Sequence, residues 1–170
     1  MTIDYFTESE KYRPKRIETL LVGESPPPSG KSYFYVPKPM SNSRPIRSDT
    51  SLPATIFYHY FLKRPETEAE YVDLLLRLKE NGIFLIDICD DPVRVRGNKG
   101  VIKKNLDRII EEIPRLRNKM ASRKISVAEN DIIFLLARRN YLKYIREEFP
   151  TAKYFRWIDF RLSPEPLNKN

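Results

Sequence analysis

The sequence contains one cysteine, one histidine and no glutamine. A lone thiol, Cys89, cannot form an internal disulfide. Neither Cys89 nor His59 can build a multi-cysteine or histidine-rich metal site. Catalysis by a histidine would have to use His59, which lies in the aromatic run Ile56-Phe57-Tyr58-His59-Tyr60-Phe61. The simpler role for such a histidine is packing in a helix. No apolar run approaches the roughly 18 residues of a spanning helix. Residues 1–16, MTIDYFTESEKYRPKR, lack the apolar core of a secretory signal. These absences lead to the expectation of a cytoplasmic protein with no membrane partner, no metal and no cofactor. At 170 residues, 41% of them hydrophobic, the chain suits one domain, residues 1–170, around one core, with a monomer as the favoured state.

Basic charge is abundant: 31 Lys and Arg stand against 23 Asp and Glu, a net +8. Such an excess suits a polyanionic partner, because Lys and Arg displace counterions from phosphates. The alternative is a surface laced with ion pairs, as in thermophile proteins. The distribution leans toward a partner. From Pro92 to Leu106 the charged residues are Arg94, Arg96, Lys99, Lys103 and Lys104, with no acid, and from Arg115 to Lys124 all charges are again basic.

Hydrophobic patterning predicts alternating strands and helices. Strands are expected at Ile17–Val22, Ile83–Ile88, Asp131–Ala137 and Ala152–Trp157, each a short apolar run. Ser51 caps an expected helix from Pro53 to Leu62, and Thr67-Glu68-Ala69-Glu70 is a capping box opening a helix that stops at Gly82. Ile102, Leu106, Ile109 and Ile113 share a helical face that Pro114 kinks or splits, with a second segment to Arg123. A further helix is expected from Arg138 to Phe149, and residues 159–166 read as a loop. The alternation predicts a three-layer α/β/α fold with a four-stranded parallel sheet. Ligands of such sheets bind beyond the carboxyl ends of the strands. About 27 residues after Val22, rich in Pro, Ser and Gly, form a long connection of the kind usually reserved for function.

Gly30-Lys31-Ser32 imitates the end of a P-loop, but the position of the first motif glycine holds Ser25. Pro26, Pro27 and Pro28 lack the backbone N–H groups that would cradle phosphate, and the residues that follow, YFYVPKP, cannot open a helix.

A different pattern fits better. A buried strand ending in Gly23-Glu24-Ser25-Pro26 resembles the first motif of the uracil-DNA glycosylase superfamily: a glycine, two variable residues and a proline, then a loop bearing an aromatic. Residues 85–94, LIDICDDPVR, resemble the strand and loop that carry the family's base-reading Asn. Arg161-Leu162-Ser163-Pro164 stands where the family has a His-Pro-Ser-Pro motif. The resemblance spans nearly the whole chain in the family's order. It implies a glycosylase-like fold and DNA as partner, with hydrolysis of a base–deoxyribose bond in DNA repair. The cysteine count argues against the iron–sulfur cluster that some members carry.

Carried over by position, the resemblance puts Ser25 at the residue that positions the attacking water and Glu24 at a glutamate found in some branches. A serine hydroxyl orients water but is no general base near neutral pH. Phe34 or Tyr35 would stack on the flipped base, or else pack the loop onto the domain. Asp87 falls at the base-reading Asn, and the base would lie between Phe34 or Tyr35 and the Gly23 strand end. An ionised Asp only accepts hydrogen bonds and suits an amino-bearing edge, or it pairs with Arg94 or Arg96. Arg161 replaces the motif histidine, and its permanent charge could meet the departing base or grip a phosphate. Lys31, Arg94, Arg96, Lys99 and Ser163 would hold phosphates, helped by Lys38, Arg44 and Arg47. Leu162 or Leu167 would fill the stack. The alternatives are a non-catalytic nucleic-acid-binding module on the same fold, or an enzyme acting on a small nucleoside-like or phosphorylated ligand.

Overall fold

The computed structural model describes residues 2–40, 45, 48–94 and 97–168. Four strands, β1 (Thr19–Gly23), β2 (Ile83–Asp87), β3 (Ile132–Leu136) and β4 (Lys153–Arg156), form one parallel sheet in the order β2-β1-β3-β4. The three-layer α/β/α architecture expected from the alternation is observed. β1 and β3 are central and apolar on both faces: Leu20, Leu21 and Val22 are buried, as are all five residues of β3. That pattern is what a parallel sheet covered by helices requires.

The crossover from β1 to β2 carries α2 (Leu52–Phe61) and α3 (Glu68–Glu80). The crossover from β2 back past β1 to β3 carries α4 (Lys99–Glu112) and α5 (Leu116–Ser122), and α6 (Leu142–Glu148) joins β3 to β4. Right-handed crossovers running in opposite directions put α2 and α3 on one face and α4 to α6 on the other. The caps agree with the sequence reading. Ser51 accepts from the Ala54 N–H and Thr67 from the Glu70 N–H. Pro114 splits α4 from α5 through a short 3-10 turn at Ile113–Arg115.

Two short helices went unread. Asp4 caps α1 (Tyr5–Glu10), accepting from the Thr7 N–H, and residues 157–162, part of which was expected to be loop, form α7 (Trp157–Leu162). Six residues are too few for a helical period to stand out. Both are fixed by tertiary contacts. α7 packs on α2, and α1 lies beside the loop after β1, where Tyr5 meets the Tyr33 ring edge-on at 4.9 Å. The strand order reverses between β1 and β3, which makes the carboxyl ends of these strands a topological switch point.

Candidate functional site

Parallel pairing of β1 with β2 sets Gly23 directly opposite Asp87. Gly23 has no side chain, and the Asp87 carboxylate takes that space: a Cβ on Gly23 would stand 2.5 Å from Asp87 Oδ1. The glycine is thus required by close approach rather than by its backbone angles. The Asp87 carboxylate forms no hydrogen bond or ion pair among the described residues. Desolvation outweighs the nearby Lys119 charge and, helped by repulsion from Glu24 and Asp90, pushes its pKa up to about 7.

Asp87 lines a cavity of about 520 Å³, a size within the roughly 300–1,000 Å³ typical of small-molecule sites. Its walls come from four places: α1 and the residues before it, the β1 loop at Pro26 and Tyr33, the β2 end with Asp90 and Asp91, and the last turn of α5. Tyr33 is buried. Burial and the Asp87 charge both push its hydroxyl above the usual tyrosine range, so it stays a neutral donor.

The cations of this cavity are already engaged. Lys119 Nζ meets Asp90 Oδ1 at 2.9 Å and donates to the carbonyls of Asp87 (3.1 Å) and Ile88 (2.5 Å), which uses its three protons. Arg123 donates to Glu10 Oε1 (2.6 Å) and Ser9 Oγ (3.1 Å). The lining carboxylates Asp4, Asp87, Asp90 and Asp91 therefore give the hollow an acidic character. It suits a neutral or hydrogen-bond-donating ligand better than a phosphate.

Glu24 lies at the switch point itself. Its Oε1 accepts from the Ala137 N–H at 2.5 Å, just past β3. Burial nevertheless raises its pKa above the ordinary carboxylate value, against those hydrogen bonds. Ser25 has a holding role: its Oγ accepts from the Val93 N–H (3.2 Å) and donates to the Val93 carbonyl (3.4 Å). The hydroxyl expected to position water instead ties the β1 loop to the β2 loop.

The expected stacking aromatics are elsewhere. Phe34 and Tyr35 are buried against Phe57 and Phe84, and neither has the open face that stacking needs. Tyr35 Oη accepts from the Leu85 N–H (2.7 Å) and donates to the Leu85 carbonyl (3.0 Å), closing part of the β2 edge. The loop aromatic that reaches the cavity is Tyr33.

Arg161 does not line the cavity. It follows β4, the opposite edge of the sheet from β2, and is buried in α7 with Nη1 donating to the Asp49 carbonyl at 2.9 Å. Ser163 just beyond it is exposed, and Leu162 is 72% exposed, whereas Leu167 is partly buried and its N–H is spent on the Tyr60 carbonyl.

Lys31 is exposed in the turn Gly30–Ser32, Arg94 is exposed, and Lys99 is the exposed first residue of α4. Arg96, Arg44 and Arg47 lie outside the described residues. Lys38 is not at the surface as a phosphate clamp: its Nζ is buried, without a hydrogen bond, 5.7 Å from the centre of the Tyr71 ring. His59 is a packed helix residue, stacked on Phe160 at 3.5 Å with Nδ1 at 2.8 Å from the Phe160 carbonyl.

Sequence reasoning missed the N-terminal wall and the cations Lys119 and Arg123 as parts of the site. The run from Arg115 to Lys124 is visible as charge, but the partners of Lys119 and Arg123, Asp90 and Glu10, are distant in the chain. No group of three or more His, Cys, Asp or Glu side chains that could hold a metal occurs among the described residues. No described helix is long and apolar enough to cross a membrane. Comparison with protein-family models, curated proteins and solved structures returns no match to this chain.

Proposed function

We propose that the chain is a divergent uracil-DNA-glycosylase-like protein that receives a flipped base in the Asp87 cavity and hydrolyses its N-glycosidic bond. One observation carries this reading: a carboxyl group with a pKa of about 7, lodged over Gly23 at the head of a cavity of ligand size. The resemblance located the water-positioning residue after β1, at Ser25. In this proposal the acid comes instead from the neighbouring strand: Asp87, over Gly23.

In this scheme the ionised Asp87 carboxylate takes a proton from water as the water oxygen bonds to C1′. The C1′–N bond breaks and its electron pair leaves with the base, which regains a proton from the medium or from Asp87. The products are a free base and an abasic sugar. A base with a pKa near the working pH is the efficient choice for such a transfer. Tyr33 supplies an aromatic wall and a neutral O–H donor for the departing base. The acidic lining disfavours phosphate inside the cavity, so the backbone stays outside it, with Lys31 and Arg94 as exposed cations to hold it.

The test is base release from single- and double-stranded oligonucleotides carrying uracil, hypoxanthine or a mismatch, read as strand scission at abasic sites. Release by the wild-type chain is expected, with an inflection near pH 7. Asp87→Asn should lower it by about 100-fold or more. No release, together with salt-sensitive binding, would leave a nucleic-acid-binding module. A second reading, hydrolysis of free nucleosides, is favoured by the acidic lining, and free deoxyuridine or inosine in the same assay separates it from the first.

A further inference from the structure

A second hollow, about 350 Å³, lies between α4 and α6. Its floor is apolar, from Ile102, Leu106 and Ile110 at successive turns of α4, with Tyr144 of α6 at its border. Lys99 and Lys103 line it, and Lys143 places Nζ 5.8 Å from the centre of the Tyr144 ring. Lys99, Lys103 and Lys143 are exposed and make no hydrogen bond or ion pair among the described residues. The two segments that build the groove reinforce this. Residues 99–106 carry Lys99, Lys103 and Lys104 with no acid, and residues 138–146 carry Arg138, Arg139, Lys143 and Arg146 with no acid. Asp107 is the one carboxylate in the lining.

We propose that this groove binds a single-stranded nucleic-acid segment, with phosphates at Lys99, Lys103 and Lys143 and a base against Tyr144. The chemistry follows from the pairing of features. Cations without an acidic partner seek polyanions, and an aromatic ring beside an apolar floor accepts the flat face of a base. A duplex is too broad for a hollow of this size. The groove shares with the proposed function its nucleic-acid partner and does not depend on base release.

The experiment measures binding of fluorescein-labelled single-stranded 20-mers by anisotropy over a range of salt concentrations. Lys99→Glu/Lys103→Glu is compared with Lys15→Glu/Arg16→Glu, which alters the net charge equally at the exposed residues just after α1. A glutamate at the first residue of α4 suits its N-terminal dipole, and Lys103 is exposed, so the groove variant should keep its fold. The expected result is at least tenfold weaker binding for the groove pair. Its log–log salt slope should be shallower by about 1.4, at roughly 0.7 per lost phosphate contact. The control pair should change binding less than threefold. Tyr144→Ala should weaken binding several-fold and leave the slope unchanged.

Equal losses in both pairs, no loss in the groove pair, or displacement of the oligonucleotide by poly-glutamate of equal charge would each overturn the proposal. The last outcome would point to an acidic protein partner. Base release, assayed on the same variants, separates the two readings. If no variant releases a base but the groove pair alone loses binding, the glycosylase reading falls and the groove stands. If the wild type releases a base and the groove pair binds like wild type, the groove falls and the glycosylase reading stands.

Discussion

Two stretches that look alike in the sequence, the basic run from Arg115 to Lys124 and the basic residues of α4, end in opposite states. In the first, Arg115 pairs with Glu112, Arg117 with Glu129, Lys119 with Asp90 and Arg123 with Glu10. In the second, Lys99, Lys103 and Lys104 find no acid among the described residues. A local excess of positive charge is therefore no guide to where a polyanion binds. What matters is whether the fold delivers carboxylates to it, and three of the four partners above come from outside the run's own helix and its neighbour. The two hollows differ accordingly. The cations of the Asp87 cavity are ion-paired, Lys119 with Asp90 and Arg123 with Glu10, while the lysines of the α4–α6 groove meet no acid among the described residues.

The largest effect that would sharpen this contrast concerns the acid that the α5 cations surround. The folded-state pKa of Asp87 is raised from 3.8 to about 7, so the fold holds its proton more tightly than the unfolded chain does. Its contribution to stability is then full below about pH 4 and falls as pH rises to about 7, with no further change above that. Asp87→Asn removes this dependence. Relative to wild type it should gain stability between pH 4 and pH 8, by at most about 4 kcal/mol at ~1.4 kcal/mol per pKa unit. Urea melts at both pH values check this, and equal differences at the two would show that Lys119 and Arg123 hold Asp87 ionised after all.

Next in size is Arg123→Ala. It removes one of the two guanidinium groups that bind Glu10, the other being Arg13, takes a donor from Ser9, and removes a guanidinium packed over Phe6 and Phe84. A loss of about 2–3 kcal/mol is expected in denaturation. A loss under 0.5 kcal/mol would erase the distinction between the two basic stretches.

Gly23→Ala should cost about 1–2 kcal/mol, because its methyl group meets Asp87 Oδ1 and the carboxylate must turn away. Base release should fall with it, and a fully active Gly23→Ala chain would remove Asp87 from the proposed chemistry. The smallest effect is predicted for Lys99→Ala/Lys103→Ala. Stability should change by no more than about 0.5 kcal/mol, since exposed unpaired lysines carry little of the fold.

Much of the fold was legible because its signals are local. The apolar runs at 20–22, 83–86 and 132–136 have no polar face to show the solvent, so they must lie inside a covered sheet. Ser51 and Thr67 announced their helices because an N-cap acts within three residues. The site was legible only in part. Gly23 and Asp87 stood out at strand ends, but their mutual contact depends on strand register, which no local pattern encodes. Phe34 and Tyr35 look like loop aromatics in the sequence. Which of three adjacent rings faces a cavity depends on how the loop folds back on α2 and β2, and the ring that does so is Tyr33.

The sequence by itself determined the strands, the capped helices, the absence of a multi-cysteine metal site and the excess of basic charge, because each depends on composition or on residues a few positions apart. The tertiary structure alone decided that Asp87 rises to near neutrality, that Ser25 is spent on Val93 and that Arg161 lies away from the cavity. It alone also decided which lysines remain without partners. Desolvation, strand register and ion pairing are properties of neighbours in space, and those neighbours lie tens of residues apart in the chain.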